Sequence, residues 1–346
     1  MTTEKKDITW INIAKFIAIL AVLTDHSEMI LYDNPSIAIA TYFSVTVFVF
    51  VSGMMTYGSI KRHDLPYMSF LKRSLMKVIP GYLAVVFIYM LVMSGGHFDF
   101  KTYLDSVISF NVSAHFYYIS VYIQLMLISV PLVRLMDRAG GVYTGVNELL
   151  IGLLILSFSI WSTNCTNIFY IYGGGGKLLG GTYLTVFYLG MLAYKHGWFK
   201  ERGSIVYAVV SAVSCVGAFF WWRFECRDHY ALDVRLHLGD GVNPPGVSTL
   251  VMAMLILALC YGLTNLLEDH KVTSKLVHIL SRAGRHTFYI FLYHRIVLDR
   301  LLVPYVRISG IWIRRAVFMT MMIVIPIAVE SCFGYVKKSI ESPALY

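Results

Sequence analysis

Residues Trp10 to Ile30 read WINIAKFIAILAVLTDHSEMI, an apolar run of membrane-crossing length that carries Lys15 and His26 inside it. Eleven helical steps of about 100° return to within roughly 20° of the start, so the two side chains share a face. Asn12, Ile19 and Val22 fall close to the same stripe. A rise of about 1.5 Å per residue separates the two ionisable groups by roughly 16 Å along the axis. An ionisable group in such a segment is costly unless it faces a protein or water-filled interior. Two on one face point to a lined cavity. The competing reading is a snorkelling Lys and a His at the lipid headgroups.

Composition places the rest of the chain in the same setting. Of 346 residues 57% are hydrophobic and 14% charged, and the mean hydropathy is +0.65. A soluble domain carries about 25% charged residues. The first apolar run continues through Asp25 and His26 without a small-residue cleavage site, so it reads as a retained first helix. Nine further segments of comparable character follow, near 37–59, 75–94, 115–135, 147–163, 181–196, 204–222, 246–267, 286–303 and 313–335. The expected fold is an all-α polytopic membrane bundle of about ten helices, one domain over residues 1–346.

Basic residues set the orientation. One alternating set of loops holds Lys5 and Lys6; Lys61, Arg62, Lys72, Arg73 and Lys77; Arg134 and Arg138; Lys195, Lys200 and Arg202; Lys271, Lys275, Arg282 and Arg285; and Lys337 and Lys338. The other set, from Lys101 to Arg315, holds half as many. The positive-inside rule therefore expects both termini in the cytoplasm. This bias accounts for much of the net charge of +9, and no nucleic-acid motif accompanies it.

The five cysteines show no CxxC pair or metal-ligand spacing, and no metal is expected. Cys165 and Cys226 both fall outside and are candidates for a disulfide. Walker A, dinucleotide and GxSxG patterns are absent. Gly173 to Gly176 reads as a flexible outer loop. The outer stretch from Arg223 to Gly246 holds Glu225, Asp228, His229, Asp233, Arg235, His237 and Asp240, suited to sugar hydroxyls or to a solvated loop.

The remaining intramembrane polar groups can be placed by depth. His26 falls in the outer third and Lys15 near the cytoplasmic boundary. His115, Tyr118 and Tyr122 share one face at the outer end of the fourth segment. His294 lies roughly 13 Å beyond Arg285, near mid-membrane. Arg295 and Asp299 have ion-pair spacing. Glu330, a buried acid, shares the cytoplasmic third with Lys15, and the two are expected to pair. Lys72, Arg73 and Lys77 cluster before the third segment. They are either flanking topology signals or a seat for a phosphate-bearing cytoplasmic ligand.

These residues also carry a family resemblance over nearly the whole length. Lys15 to Asp25-His26-Ser27, Phe48-Val49-Phe50-Val51-Ser52-Gly53, Phe70-Leu71-Lys72-Arg73 with Lys77 and Ile79-Pro80, His115-Phe116-Tyr117-Tyr118, and Ala283-Gly284-Arg285-His286-Thr287-Phe288-Tyr289-Ile290-Phe291-Leu292-Tyr293-His294 occur in an order that resembles the acyltransferase 3 family of membrane O-acyltransferases. Lys15 stands where many members have Arg, and Ser74 and Lys77 where an Arg pair is common. The chain ends at Tyr346, soon after the tenth segment, so it is expected to be a stand-alone form without an SGNH-type domain.

The resemblance implies a multi-pass protein of the plasma or inner membrane. It implies transfer of an acyl group, acetyl by default, from cytoplasmic acyl-CoA to a hydroxyl of a cell-envelope glycan or lipid-linked sugar. His26 is then the general base, or the site of an acyl-His intermediate. Asp25 and His294 are further catalytic candidates, and His115, Tyr118 and Tyr122 would lie on the acceptor side. Lys15, Lys72, Arg73, Lys77 and Arg285 would hold the CoA phosphates. A proton-coupled transporter and a non-catalytic polysaccharide-export partner are the alternative classes.

Overall fold

The computed structural model describes residues 3–63, 66–93, 95–139, 143–200, 202–228, 231–236, 242–268 and 270–341. The side chains of Lys5, Lys6, Lys271, Lys337 and Lys338, and residues His229, His237 and Asp240, lie outside that description. The described chain is helical, with one isolated bridge between Glu28 and Tyr32. In order the helices are α1 (Thr3–Asp25), α2 (Pro35–Ile39), α3 (Ser44–His63), α4 (Tyr67–Leu75), α5 (Ile79–Met93), α6 (Phe100–Ser109), α7 (Tyr117–Arg138) and α8 (Thr144–Asn164). Then come α9 (Tyr183–Lys195), α10 (Ser204–Asp228), α11 (Ala231–Arg235), α12 (Val247–Glu268), α13 (Lys271–Ala283), α14 (Thr287–Ile296), α15 (Val303–Tyr305) and α16 (Ile311–Glu341). The protein is an all-α polytopic membrane bundle.

All ten segments expected from the sequence fall on helices. Among the described residues, seven helical stretches are long and apolar enough to cross a membrane: Pro35–His63, Tyr67–Met93, Ala114–Arg138, Thr144–Asn164, Ser204–Asp228, Val247–Glu268 and Ile311–Cys332. The other three segments depart for visible reasons. Helix α1 carries Lys15 and Asp25 among its apolar residues. Helix α9 has 13 residues, about 20 Å of axis. Helix α14 runs into a π turn at Val297–Leu302, a geometry that often marks a functional site.

Helix α1 sits at the centre. Trp10, Ile11, Ala14, Ala18 and Ala21 pack into one core with α3, α7, α9 and α12. Its Ile19, Val22 and Leu23 pack into a second core with α5, α14 and α16. Helices α8 and α10 instead expose rows of large apolar side chains, including Leu149, Leu153 and Leu154, and Val209, Val213 and Phe220. In a bilayer such faces meet lipid, so helix association rests on close packing and internal hydrogen bonds. Two glycine contacts show this. A Cβ at Gly53 would overlap the Phe187 carbonyl, and one at Gly190 would overlap the Phe50 carbonyl, so α3 and α9 touch backbone to backbone. A Cβ at Gly284 would overlap the Asn12 carbonyl, which fixes the end of α13 against α1.

The glycine stretch corrects the flexible-loop reading. Gly173–Gly176 forms a short 3₁₀ turn whose Gly174, Gly175 and Gly176 are buried. A Cβ on Gly175 would stand 2.8 Å from the Tyr117 Cβ, so the loop lies directly on α7. Gln124 binds it from both sides: its Nε2 donates to the Gly175 carbonyl at 3.3 Å, and its Oε1 accepts from the Leu179 amide at 2.8 Å. Ser120 Oγ adds a second donor to the Gly175 carbonyl at 3.2 Å. Irregular backbone inside a membrane protein needs such partners, because lipid supplies none. The loop and the short α9 together occupy the place of the sixth segment.

Candidate active site

Three histidines from three separate parts of the chain meet at one point. His26 follows the end of α1, its amide still bonded to the Val22 carbonyl at 3.0 Å. His115 lies in a 3₁₀ turn, Ala114–Phe116, that leads into α7. His294 sits within α14 and is fully buried. The His26 and His294 rings stack, with centroids 4.8 Å apart and 19° between planes. The His115 ring lies 4.8 Å from His294 and 5.8 Å from His26. Phe291 closes the side of His115 edge-on at 5.0 Å. The sequence placed His294 deeper than His26; the structure puts them in direct contact.

Hydrogen-bond partners assign the protons. His294 Nδ1 faces the Phe291 carbonyl at 2.8 Å and the Ile290 carbonyl at 3.2 Å, and both can only accept. That nitrogen therefore carries hydrogen, and a neutral His294 presents a bare Nε2. His26 Nδ1 lies 2.6 Å from that Nε2, so His26 donates from Nδ1. A neutral His26 is then left with a bare lone pair on Nε2. Asp25 Oδ2 is 3.8 Å from this Nε2, beyond hydrogen-bond length but close enough to stabilise a positive charge on the ring. Asp25 is the last residue of α1 and His26 follows it in the turn, which lets the two side chains approach.

Backbone clamps hold the His26 segment. Arg295 donates from a terminal guanidinium nitrogen to the His26 carbonyl at 2.8 Å and from Nε to Asp299 Oδ2 at 3.1 Å. The expected Arg295–Asp299 ion pair is thus present, and it aims the guanidinium. Arg315 donates to the Leu31 carbonyl at 2.7 Å, and Arg314 to the Ile30 carbonyl. Met29, with a φ of 64°, reverses the chain there. Tyr32 closes the turn by donating to the Thr24 carbonyl at 2.5 Å.

In front of the histidines lies a cavity of about 590 Å³. Asp25, Glu28, Tyr42, Tyr117, Tyr172, Asn243 and Arg295 are among its lining residues, beside His26 and His115. Carboxylates, an amide and phenol rings together suit a polyhydroxylated ligand, with rings to stack on and acceptors for hydroxyls. Asn243 also accepts from the Gly174 amide at 3.0 Å, which ties the buried glycine loop and Tyr172 into the wall. Sequence reasoning missed Tyr172 and Asn243, because no local pattern links residue 243 to residue 174. Tyr118 and Tyr122, expected on the acceptor side, lie elsewhere. Tyr118 packs between Phe48 and Phe291 at 6.3 and 5.4 Å, and Tyr122 reaches the Ser74 carbonyl at 3.5 Å. They form the packed seam between the cavity and α4.

Asp233, from the stretch between α10 and α12, is accounted for structurally. It is fully buried and accepts from the Val247 amide at 2.5 Å, capping α12.

Lys15 and Glu330, expected to pair, have other neighbours. Glu330 Oε2 lies 2.6 Å from His286 Nδ1. Lys15 has Arg285 as its charged neighbour. Asn12 is held by Ser281 at 3.4 Å. Two cations side by side attract an anion. Lys72, Arg73 and Lys77 are exposed on α4 and the turn after it, and Arg73 is close enough to repel Lys77. A Cβ on Gly81, at the start of α5, would stand 3.2 Å from Phe288, so this turn packs near the start of α14 and Arg285.

A membrane helix bundle with a polar cavity, a proton-accepting imidazole and a cationic end is the outline of a membrane-embedded group-transfer enzyme. The family comparison agrees: the model of the acyltransferase domain known as acyltransferase 3 matches residues 8–331, and the chain belongs to that family. No curated protein and no solved structure matches the chain. The protein is a multi-pass membrane acyltransferase.

Proposed function

We propose that this protein moves an acyl group, acetyl by default, from cytoplasmic acyl-CoA to a hydroxyl of a cell-envelope glycan or lipid-linked sugar. The observation that carries the reading is the bare Nε2 of His26, its proton placement dictated by His294 and the Phe291 carbonyl. The acceptor hydroxyl gives its proton to that Nε2 as its oxygen attacks the thioester carbonyl. The carbon–sulfur bond breaks, the thiolate leaves, and the proton passes from the imidazolium to the sulfur. Asp25 offsets the positive charge of the transient imidazolium. His294 positions His26 and fixes its tautomer.

Both termini, the basic mouth and the donor belong to the cytoplasmic side in this reading, and the 590 Å³ cavity to the outside of the plasma or inner membrane. Lys15, Lys72, Arg73, Lys77 and Arg285 hold the phosphates, with Arg73 and Arg285 supplying planar forks. Tyr118 and Phe291 stand between the two ends, and the thioester must pass them. The test is transfer of label from radiolabelled acetyl-CoA to envelope glycan in membranes containing the protein. A transporter or an export partner would bind no acyl-CoA.

Arg73→Ala is expected to weaken acyl-CoA binding by about 1–3 kcal/mol, the worth of a charge-assisted hydrogen bond, with little change in the rate from bound donor. Equilibrium binding of CoA to the purified variant checks this. Unchanged affinity would make the basic cluster a topology signal only.

A further inference from the structure

The three imidazoles that shape the proton relay also form a donor set of another kind. His26, His115 and His294 each offer a ring nitrogen, and these nitrogens all lie within 4.8 Å of one another. His294 Nδ1 is engaged by the Phe291 carbonyl at 2.8 Å and His115 Nδ1 by Ser113 Oγ at 2.9 Å. Metal-binding histidines are commonly held this way, one nitrogen on an acceptor and the other free to coordinate. His115, at a relative exposure of 3%, has an Nε2 without a hydrogen bond of good geometry, with the Leu292 carbonyl as the ring's backbone neighbour. A buried ring nitrogen that makes no well-formed hydrogen bond, beside two more imidazole nitrogens, is suited to coordinate an ion.

We propose that the outer cavity binds a divalent transition ion of the zinc class on His26, His115 and His294, and that the bound ion switches acyl transfer off. The switching half rests on the general-base reading above; the binding half does not. Zinc holds imidazole nitrogens at about 2.0–2.1 Å, which spaces tetrahedral ligands roughly 3.3 Å apart. His26 Nδ1 and His294 Nε2 stand 2.6 Å apart around a shared proton, so replacing that proton by the ion asks for ring shifts on the order of 1 Å. The proton on His26 Nδ1 then has to leave or move. A neutral ring that coordinates through Nδ1 carries its hydrogen on Nε2, and the lone pair that serves as base is gone. Asp25 and Glu28 line the cavity and offset the charge of Arg295, so the site tolerates a cation. Three neutral nitrogen donors select zinc, copper or nickel over magnesium and calcium.

The experiment titrates the purified full-length protein in detergent with Zn²⁺ alone, by calorimetry at fixed pH, with Mg²⁺ in parallel. One Zn²⁺ per chain is expected, with no Mg²⁺ signal. His115→Ala is expected to weaken Zn²⁺ binding at least 100-fold. Ser113→Ala, which removes only the partner of His115 Nδ1, should weaken it about 10- to 100-fold. Acyl transfer by the unsubstituted protein should stop at saturating Zn²⁺ and return when a chelator is added. Absence of stoichiometric Zn²⁺ binding, or binding unchanged in both His115→Ala and His294→Ala, overturns the site. If either variant fails to fold, the visible spectrum of the Co²⁺-loaded unsubstituted protein decides: strong tetrahedral bands support the cluster, and the weak octahedral spectrum overturns it. Histidine-dependent Zn²⁺ binding without loss of transfer would retain the site and remove the switch. Histidine-dependent binding by a chain that never transfers an acyl group would instead count against the enzyme reading and leave the metal site standing.

Discussion

His26→Ala is expected to lower acyl transfer 10²- to 10⁴-fold, the usual cost of removing a general base, while acyl-CoA binding stays unchanged. The two readouts separate because His26 lines the cavity, whereas Lys15 lies eleven residues back along α1, roughly 16 Å of axis, and the other proposed phosphate ligands lie on α4, the turn after it and the segment after α13. His294→Ala should cost less. It leaves the His26 imidazole in place but removes the acceptor at 2.6 Å that fixes its tautomer and tilt. Its effect should appear in the turnover rate and in a shifted pH–rate profile, with donor affinity unaltered. Single-turnover transfer of labelled acetyl by the two purified variants measures both. Near-normal transfer by a well-folded His26→Ala protein, with none by His294→Ala, would move the base to α14.

The same relay shows which parts of the site could be read in advance. His26 was legible because a titratable residue in a 21-residue apolar run has few structural excuses, and its periodicity ties it to Lys15. His115 and His294 were legible as polar groups inside apolar segments, but their meeting was not. It depends on where α1 stops, on the 3₁₀ turn that offsets His115 from α7, and on the packing of α14 against both. Each is a tertiary property, and depth along a straight helix gave only one coordinate of three. Lys15 illustrates the same limit. Depth matched it to Glu330, yet the close seat of Gly284 on the Asn12 backbone brings the Arg285 end of α13 to α1. Glu330 then turns to His286.

The fold was more legible than the site. Ten apolar segments follow from composition and length, and the bundle places helices on all of them, but the ends move: α1 runs Thr3–Asp25, and the second segment is broken between α2 and α3. The join between the fifth and sixth segments was the least legible, because a short helix preceded by a buried glycine loop has the composition of a surface turn. Partner groups on Ser120 and Gln124, some fifty residues earlier, and on Asn243, later in the chain, satisfy this backbone inside the protein.

Gly53→Leu is expected to prevent accumulation of folded protein, and Gly53→Ala to destabilise it by about 1–3 kcal/mol or somewhat more. At this position the obstacle is the Phe187 carbonyl oxygen, with the Phe187 carbonyl carbon 3.0 Å away. A flexible side chain could swing aside; a helix backbone moves only if α3 and α9 part. The reciprocal contact of Gly190 with the Phe50 carbonyl means that one separation would undo both. In lipid no hydrophobic effect drives the helices back together, so lost backbone proximity is not regained by burying other apolar surface. The site is linked to the same seam: α3 and α9 share a core with Tyr117, which lines the cavity, and with Ala14, Ala18 and Ala21 of α1. Gly145→Ala is the control, since a Cβ there meets nothing within 4 Å and Ala favours the helix. Yield of monodisperse protein and its unfolding temperature in one detergent should rank unsubstituted chain and Gly145→Ala together, Gly53→Ala below them, and Gly53→Leu last. Equal stability of Gly53→Leu and Gly145→Ala would mean that α3 and α9 do not touch at this pair of glycines.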